Sequence, residues 1–575
     1  MMNRRMFLKI LAAAGIAPVT PQFSSLSSMY KNANAAIDYS AININADSVP
    51  SIMPQVINLF LYGGPSELAG NLTNIIDIEK NSQKKYTDFF SGLETAKGAG
   101  VNGSITPGGF WGSNSNPGIN NDDNRLGAGG DDMQFLVDQR HMSVYRTMMS
   151  RKNTSQSHRE NILISQKGSL DIEFSAGVGN KLASLIYTHR DLFQDSAVTK
   201  LAGGASIPDV EKLVMPFVSI LDGDTRVFDK GNSAPLPLIF NGVSVGEDLS
   251  NPFSRNVDRL GSSGGANPTD QVEIDLQEQE SAMLDAIVQQ SLNADTRDYS
   301  EVTEAFEQGV KLDAAMSEFE GEYVNGAFPL PTITGSADIT ANGVDGDKLV
   351  YPDSTIGRSV QAAVTLAVEN PETLFITLGG AFGGWDDHNN GVDRYPGRMR
   401  DVFKALRVAM MHIKYSGTQT AAGYRTPIKG LARPTNNIII NVFGDFGRSV
   451  NLNSSLGWDH GNNQNFYTLG GSRPGLRTPI GNLSNGLGKI VGATVHTGDA
   501  GSNDQYTIPA AGSYEFEPVS VAANIFKYFG VVYPAEVNAT TPDPLTAAFD
   551  PDNPSVILDP GFPPIDEDPV TNGGV

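Results

Sequence analysis

The chain has no cysteine among its 575 residues. That excludes disulfides, thiolate metal sites, iron–sulfur clusters and cysteine nucleophiles, and leaves packing, with or without a bound metal, to hold the fold. Histidine is scarce, seven in all, and tryptophan scarcer, at three. Positive charge is in deficit: 41 Lys and Arg stand against 64 Asp and Glu, a formal net charge of −23, with a pI near 4.7. A surface of that sign repels a phosphate backbone and excludes nucleic acid as a partner. It offers no hold on anionic lipid either. Outside the N-terminus no apolar run is long enough to read as a membrane helix.

What is abundant is loop chemistry, 61 glycines and 33 prolines beside an ordinary 39 % of hydrophobic residues. The length suffices for one elaborated domain or for two or three. The N-terminus, Asn3-Arg4-Arg5-Met6-Phe7-Leu8-Lys9, pairs two arginines ahead of a mildly apolar stretch at 10–19, and Ala33-Asn34-Ala35 is a small-x-small cleavage site. This reads as a twin-arginine signal over 1–35 that leaves a mature chain without an integral membrane segment. The expected address is the periplasm or the extracellular space, with the twin-arginine translocation machinery as a partner. Residues 36–540 read as the folded domain and 541–575 as a Pro/Asp-rich tail.

Along the domain, Gln55-Val56-Ile57-Asn58-Leu59-Phe60-Leu61-Tyr62 reads as a buried strand. It breaks into Gly63-Gly64-Pro65-Ser66-Glu67, a strand-end turn of the kind where open α/β sheets place sites. A Gly/Asn/Asp-rich loop at 98–132 follows, then a short strand at 142–146. Ser155, Ser157 and Thr154 flank His158 just ahead of an apolar segment. They read either as a helix N-cap or as a hydroxyl nucleophile beside a base or metal. Residues 180–188 read as an amphipathic helix, 216–221 and 237–240 as short strands, and 271–325 as a helical insertion. The stretch Asn342-Gly343-Val344-Asp345-Gly346-Asp347 has the look of a calcium loop without its closing glutamate. Helix 356–369, strand 373–378, helix 396–415, strand 438–443 and helix 519–528 complete the reading. Strands alternating with helices predict an α/β fold with a mainly parallel central sheet and helices on both faces.

Two of the seven histidines sit beside aspartates, in Gly384-Trp385-Asp386-Asp387-His388 and in Gly457-Trp458-Asp459-His460-Gly461. Carboxylate and imidazole together suit zinc, manganese or iron better than magnesium or calcium. Asp386 or Asp387 with His388, and Asp459 with His460, are therefore candidate ligands for one or two divalent metal ions. Arg448, in Asp445-Phe446-Gly447-Arg448 after the 438–443 strand, is placed to grip an oxyanion through two parallel hydrogen bonds. Asp445 is placed to be a further ligand or to order that loop.

In its order of motifs the chain resembles a bacterial family of twin-arginine-exported proteins of uncharacterised function, placed in the alkaline phosphatase/sulfatase superfamily. The matching pieces are Asn3 to Lys9, Leu61-Tyr62-Gly63-Gly64-Pro65-Ser66, Ser157-His158, Gly384-Trp385-Asp386-Asp387-His388, Phe446-Gly447-Arg448, Asp459-His460-Gly461 and Leu469-Gly470-Gly471. The resemblance implies a mainly parallel sheet flanked by helices and a metal-assisted hydrolase acting on phosphate or sulfate esters of small molecules or polymers. It carries Asp386, His388, Asp459 and His460 over as metal ligands and Ser157 as nucleophile, with Arg448 in the same motif set. One departure stands out: Ala69 occupies the position of an expected early carboxylate ligand, unless Glu67 takes its place. That departure motivates the alternative of a non-catalytic exported protein that keeps the fold for partner or surface binding. A metal-dependent lyase or isomerase on the same scaffold is a third option.

Overall fold

The first apolar run becomes the middle of a sheet: all seven residues of Gln55–Leu61 (β1) are buried, as expected of a strand covered on both faces. The computed structural model describes residues 37–65, 130–245, 330–470 and 490–532, apart from gaps inside these ranges. The expected signal at 1–35, Ser66, Glu67 and Ala69, most of the expected loop at 98–132, the expected helical insertion at 271–325 and the expected tail at 541–575 lie outside the described residues.

The strands flanking β1 follow in chain order: Met142–Met149 (β2), Phe217–Ile220 (β3), Val243–Val245 (β4), Phe375–Leu378 (β5), Ile438–Gly444 (β6), Gly447–Leu452 (β7), Trp458–Gly461 (β8), Asn463–Gly470 (β9), Ile490–Val491 (β10), Thr494–Thr497 (β11) and Tyr506–Pro509 (β12). Eight of them form the central sheet in the order β10-β2-β9-β6-β1-β5-β3-β4. Every pairing in it is parallel except the two made by β9. The result is a mixed α/β fold around a mostly parallel sheet. The strand expected at 237–240 is displaced: the pairing edge is β4, and Pro237 and Phe240 lie ahead of it outside any strand.

The helices are Gly130–Asp138 (α1), His158–Lys167 (α2), Val178–Thr188 (α3), Thr355–Glu369 (α4), Gly391–Ser416 (α5) and Val519–Tyr528 (α6), besides shorter turns. Helix α4 starts where the Ser354 hydroxyl accepts the Gly357 N–H at 3.2 Å and ends at Asn370, before Pro371. Proline has no N–H to continue the ladder. Helix α5 begins five residues before Pro396, with which the sequence expectation opens it. The added turn brings Arg394 to Asp387. Helices α1, α4 and α5 cover one face of the sheet through Leu136, Val360, Leu406 and their neighbours. Helices α3 and α6 cover the other through Leu182, Leu185, Ile525 and Phe526. Among the described residues no helix is long and apolar enough to cross a membrane. Within the calcium-like stretch, Val344–Asp345 pairs with Lys348–Leu349 in a two-stranded hairpin.

Two features set up the site. On the α3/α6 face, Ser143, Thr468, Asn441, Asn58, Thr377, Ser219 and Ser244 fall in register across seven strands. The Asn441 amide donates to Asn58 Oδ1 at 3.1 Å, and Asn441 Oδ1 accepts from the Thr468 hydroxyl at 3.3 Å. At the carboxyl edge, the chain leaves β6, makes an excursion through β7 and β8, and returns antiparallel to β6 as β9. The excursion builds a second sheet in the order β8-β7-β12-β11.

Candidate metal centre

Loops after the carboxyl ends of β2, β5 and β6 meet in one place, as expected for a parallel sheet. The loop after β2 delivers His158, the first residue of α2. The loop after β5 delivers Asp386 and His388. The β6–β9 excursion delivers His460 from within β8. One ligand atom from each of the four lies within 4.8 Å of the others. Nε2 of His388 is 2.8 Å from Nε2 of His460. Oδ1 of Asp386 is 3.1 Å from His388 Nε2, 3.2 Å from His158 Nε2 and 3.7 Å from His460 Nε2.

The opposite ring nitrogens explain why the Nε2 atoms converge. Nδ1 of His158 faces Asp445 Oδ2 at 2.5 Å, Nδ1 of His388 faces Asp459 Oδ1 at 3.1 Å, and Nδ1 of His460 faces the Gln156 carbonyl at 2.7 Å. Ionised carboxylates and carbonyls only accept, so each Nδ1 carries a proton and donates it. In the neutral rings the lone pairs then sit on Nε2, all turned inward on a carboxylate oxygen. Nε2 of His158 is buried without a hydrogen-bond partner. Three imidazole lone pairs and a carboxylate oxygen facing one another repel, and Arg448 meets only the Asp386 oxygen and the edge of His388; a shared cation or proton makes the arrangement favourable. A carboxylate or carbonyl behind each ligating histidine is also the usual support of a metal-bound imidazole.

The donor set fits a first-row divalent ion. A tetrahedral ion with ligands at about 2.0–2.1 Å spaces its donors by roughly 3.3 Å; four of the six separations, at 2.8, 3.1, 3.2 and 3.7 Å, bracket that spacing, within a group that spans 4.8 Å. Magnesium and calcium demand more oxygen. Among the described residues this group supplies donors for a single ion.

Electrostatics keep Asp386 ready to ligate. Burial works to raise its pKa, but the hydrogen bond and charge of Arg448, with the charges of His158 and His388, outweigh it and hold the carboxyl at about 2. Burial likewise pulls His158 down, yet Asp445 and Asp386 together raise it above the ordinary histidine value. His460 is lowered, by burial first and by the Arg448 charge second.

The other expected site residues take different places. Asp459 is not in the four-residue group; it stands behind His388. Asp445 orders its loop, its Oδ1 accepting the Gly63 N–H at 3.1 Å while its Oδ2 holds His158. Of the neighbouring pair, Asp386 faces the centre, and Asp387 is buried and bonded to Arg398 at 3.0 Å and Arg394 at 3.1 Å. Arg448 is buried, and its donors are spent on protein: Nε on the Gly64 carbonyl at 2.7 Å, Nη1 on Trp458 O at 3.1 Å, and Nη2 on Gly63 O, Trp385 O and Asp386 Oδ1. That corrects the expectation of a two-pronged oxyanion grip, because Nε and Nη2 are taken by the protein and a single Nη1 N–H, 3.5 Å from His388 Nε2, is left toward the site. Ser157 takes the N-cap position of α2, yet its hydroxyl makes no capping bond.

Glycine makes the interlock possible. Gly63, at φ +106°, has its Cα so near the Trp385–Asp386 peptide that a Cβ would stand 2.3 Å from Asp386 N. At Gly457 a Cβ would lie 2.2 Å from the His388 carbonyl carbon. His158 is the ligand that spacing arguments miss: no carboxylate neighbours it in sequence, and the pairing signal that marks His388 and His460 is absent there. No protein-family model matches the chain, and no curated protein matches it, so the chemistry of the site is read from its own atoms.

Proposed function

We propose that the protein is an exported, metal-dependent hydrolase of phosphate or sulfate esters on an alkaline phosphatase/sulfatase-like scaffold. One observation carries the reading: three imidazole Nε2 atoms and the Asp386 carboxylate converge at the carboxyl edge of a mostly parallel sheet. The twin-arginine motif at Asn3 to Lys9 supports export, since that route carries folded proteins with their cofactors in place. His158, Asp386, His388 and His460 would hold the ion. When bound, such an ion supplies Lewis-acid chemistry toward an ester oxygen and toward water.

The chain does the positioning. Asp445, Asp459 and the Gln156 carbonyl fix which imidazole nitrogen is free, and Arg448 keeps Asp386 ionised. Asp386 and His388 keep side-chain exposures of 47 % and 37 %, so an ester reaches the centre from their side. The uncapped hydroxyl of Ser157, next to His158, is the candidate nucleophile within the chain. A second reading, a metal-holding protein without turnover, is favoured by the closure of Arg448 on the protein itself.

Elemental analysis of the purified mature protein, grown with zinc and manganese, tests the centre. One equivalent of divalent metal is expected, lost in His388→Ala and His460→Ala. A panel of phosphate and sulfate esters then separates the two readings. Metal-dependent turnover supports the hydrolase, and stoichiometric metal without turnover supports the holding protein. Protein with no metal sinks both.

A further inference from the structure

We infer that Arg448 is a positioning residue that prebuilds the ligand cage by standing behind Asp386, and that it thereby sets the affinity of the site for its ion. The inference rests on the cation reading above. The Arg448 side chain is wholly buried, and the carboxylate it holds is 47 % exposed. Buried guanidinium groups persist where every donor is met, and here the acceptors come from separate stretches of chain. They are the Gly63 and Gly64 carbonyls after β1, the Trp385 carbonyl and Asp386 carboxylate after β5, and the Trp458 carbonyl in β8.

These are the segments that carry or abut the ligands. Asp386 Oδ1, the atom nearest the three Nε2 groups, is also the atom that accepts Arg448 Nη2, at 2.8 Å. One oxygen thus sits between the guanidinium and the point where the donors converge. Nη1 approaches His388 Nε2 at 3.5 Å, too long for a strong bond but close enough to place a positive charge at the edge of the cage. Arg448 therefore holds Asp386 turned inward and fixed. A lysine in its place keeps the charge but offers a single point donor where a planar fork meets several acceptors.

The test is zinc affinity, read by chelator competition on the full mature chain, with cobalt absorption as a second readout of the ligand set. Arg448→Lys is expected to bind zinc about 10- to 100-fold more weakly, the usual cost of losing support behind a ligand, and to show an altered cobalt spectrum. Asp386→Asn should also weaken binding, and adding Arg448→Lys to it should cost less than about threefold more, because the two act through one oxygen. Wild-type affinity and spectrum in Arg448→Lys, or additive losses in the double variant, overturn the inference. If the arginine variants do not fold, the zinc-loaded wild-type crystal structure decides. Arg448 bonded to a zinc-ligating oxygen of Asp386 is expected, and Arg448 turned away from it, or Asp386 off the metal, overturns it. Wild-type protein that binds no zinc, manganese or cobalt refutes the cation reading itself, a result distinct from every one of these.

Discussion

A carboxylate that accepts from the Nδ1 of an imidazole aims the ring and leaves Nε2 to ligate. Asp445 and Asp459 both play that part, behind His158 and His388 respectively. The two kinds of residue should therefore separate by degree. His158→Ala removes a donor, and retained metal is expected to fall to background, as in His388→Ala. Asp459→Asn leaves every donor in place, and affinity for zinc is expected to drop by about 10- to 100-fold with one equivalent still bound at saturating metal. The reverse order of losses, with metal falling to background in Asp459→Asn and only weakened in His158→Ala by equilibrium dialysis, would place Asp459 on the metal and His158 off it. Sequence spacing favours that reverse arrangement, since Asp459 adjoins His460. In β8, however, the pairing with β7 is irregular between Trp458 and His460, and His460 Nε2 faces the centre while Asp459 Oδ1 meets Nδ1 of His388 from behind.

Strands and helices with a strong pattern were legible from the residues alone: β1, β5, β6, α4 and α6 stand close to where their apolar runs place them. What escaped was the small sheet. Strands β7 and β8 are short, rich in glycine and polar residues, and held by one another and by the backbone interlock at Gly457 and Gly461, none of which leaves a period in the sequence. The helices also carry a pH dependence. His412 of α5 shares a hydrogen bond of 3.1 Å with the Tyr351 hydroxyl, and burial lowers its pKa to about 3. Burial, then the Lys414 charge, lowers that of His141, ahead of β2, to about 4. Both rings stay neutral in the fold while the unfolded chain takes protons below its own pKa near 6.5. The unfolded state therefore binds more protons as pH falls, and stability falls with it. Each group removes about 1.4 kcal/mol per pH unit between roughly 6.5 and its folded value. Urea midpoints from pH 7.5 to 5 should show this slope, and His412→Leu should flatten it by up to one proton; an unchanged slope would mean that His412 already bears its proton in the fold.

For the whole molecule, the row of Asn, Thr and Ser side chains through the sheet fixes register. Hydrophobic strands buried on both faces pair almost equally well after a two-residue slip, because the alternation of faces is kept. The Asn58–Asn441 bond is lost in such a slip. Replacing one partner leaves the other buried and unmet, at about 1–3 kcal/mol, whereas replacing both with apolar residues is nearly neutral. Asn58→Leu should accordingly lower the urea midpoint more than Asn58→Leu with Asn441→Leu does. A double variant that falls by the sum of the singles would deny the row this role.

The return of β9 beside β6 has a further consequence. Residues 445–462, which carry Asp445, Arg448, Asp459 and His460, leave and re-enter the sheet at adjoining positions, with Gln464 Oε1 accepting the Gly444 N–H at 2.9 Å. Topologically they are an insert in a hairpin, and a two-residue turn could join the same strands. The scaffold and half of its chemistry are thus separable along the chain. One continuous segment supplies Asp445, Arg448, Asp459 and His460, while the contributions after β1, β2 and β5 come from three separate segments.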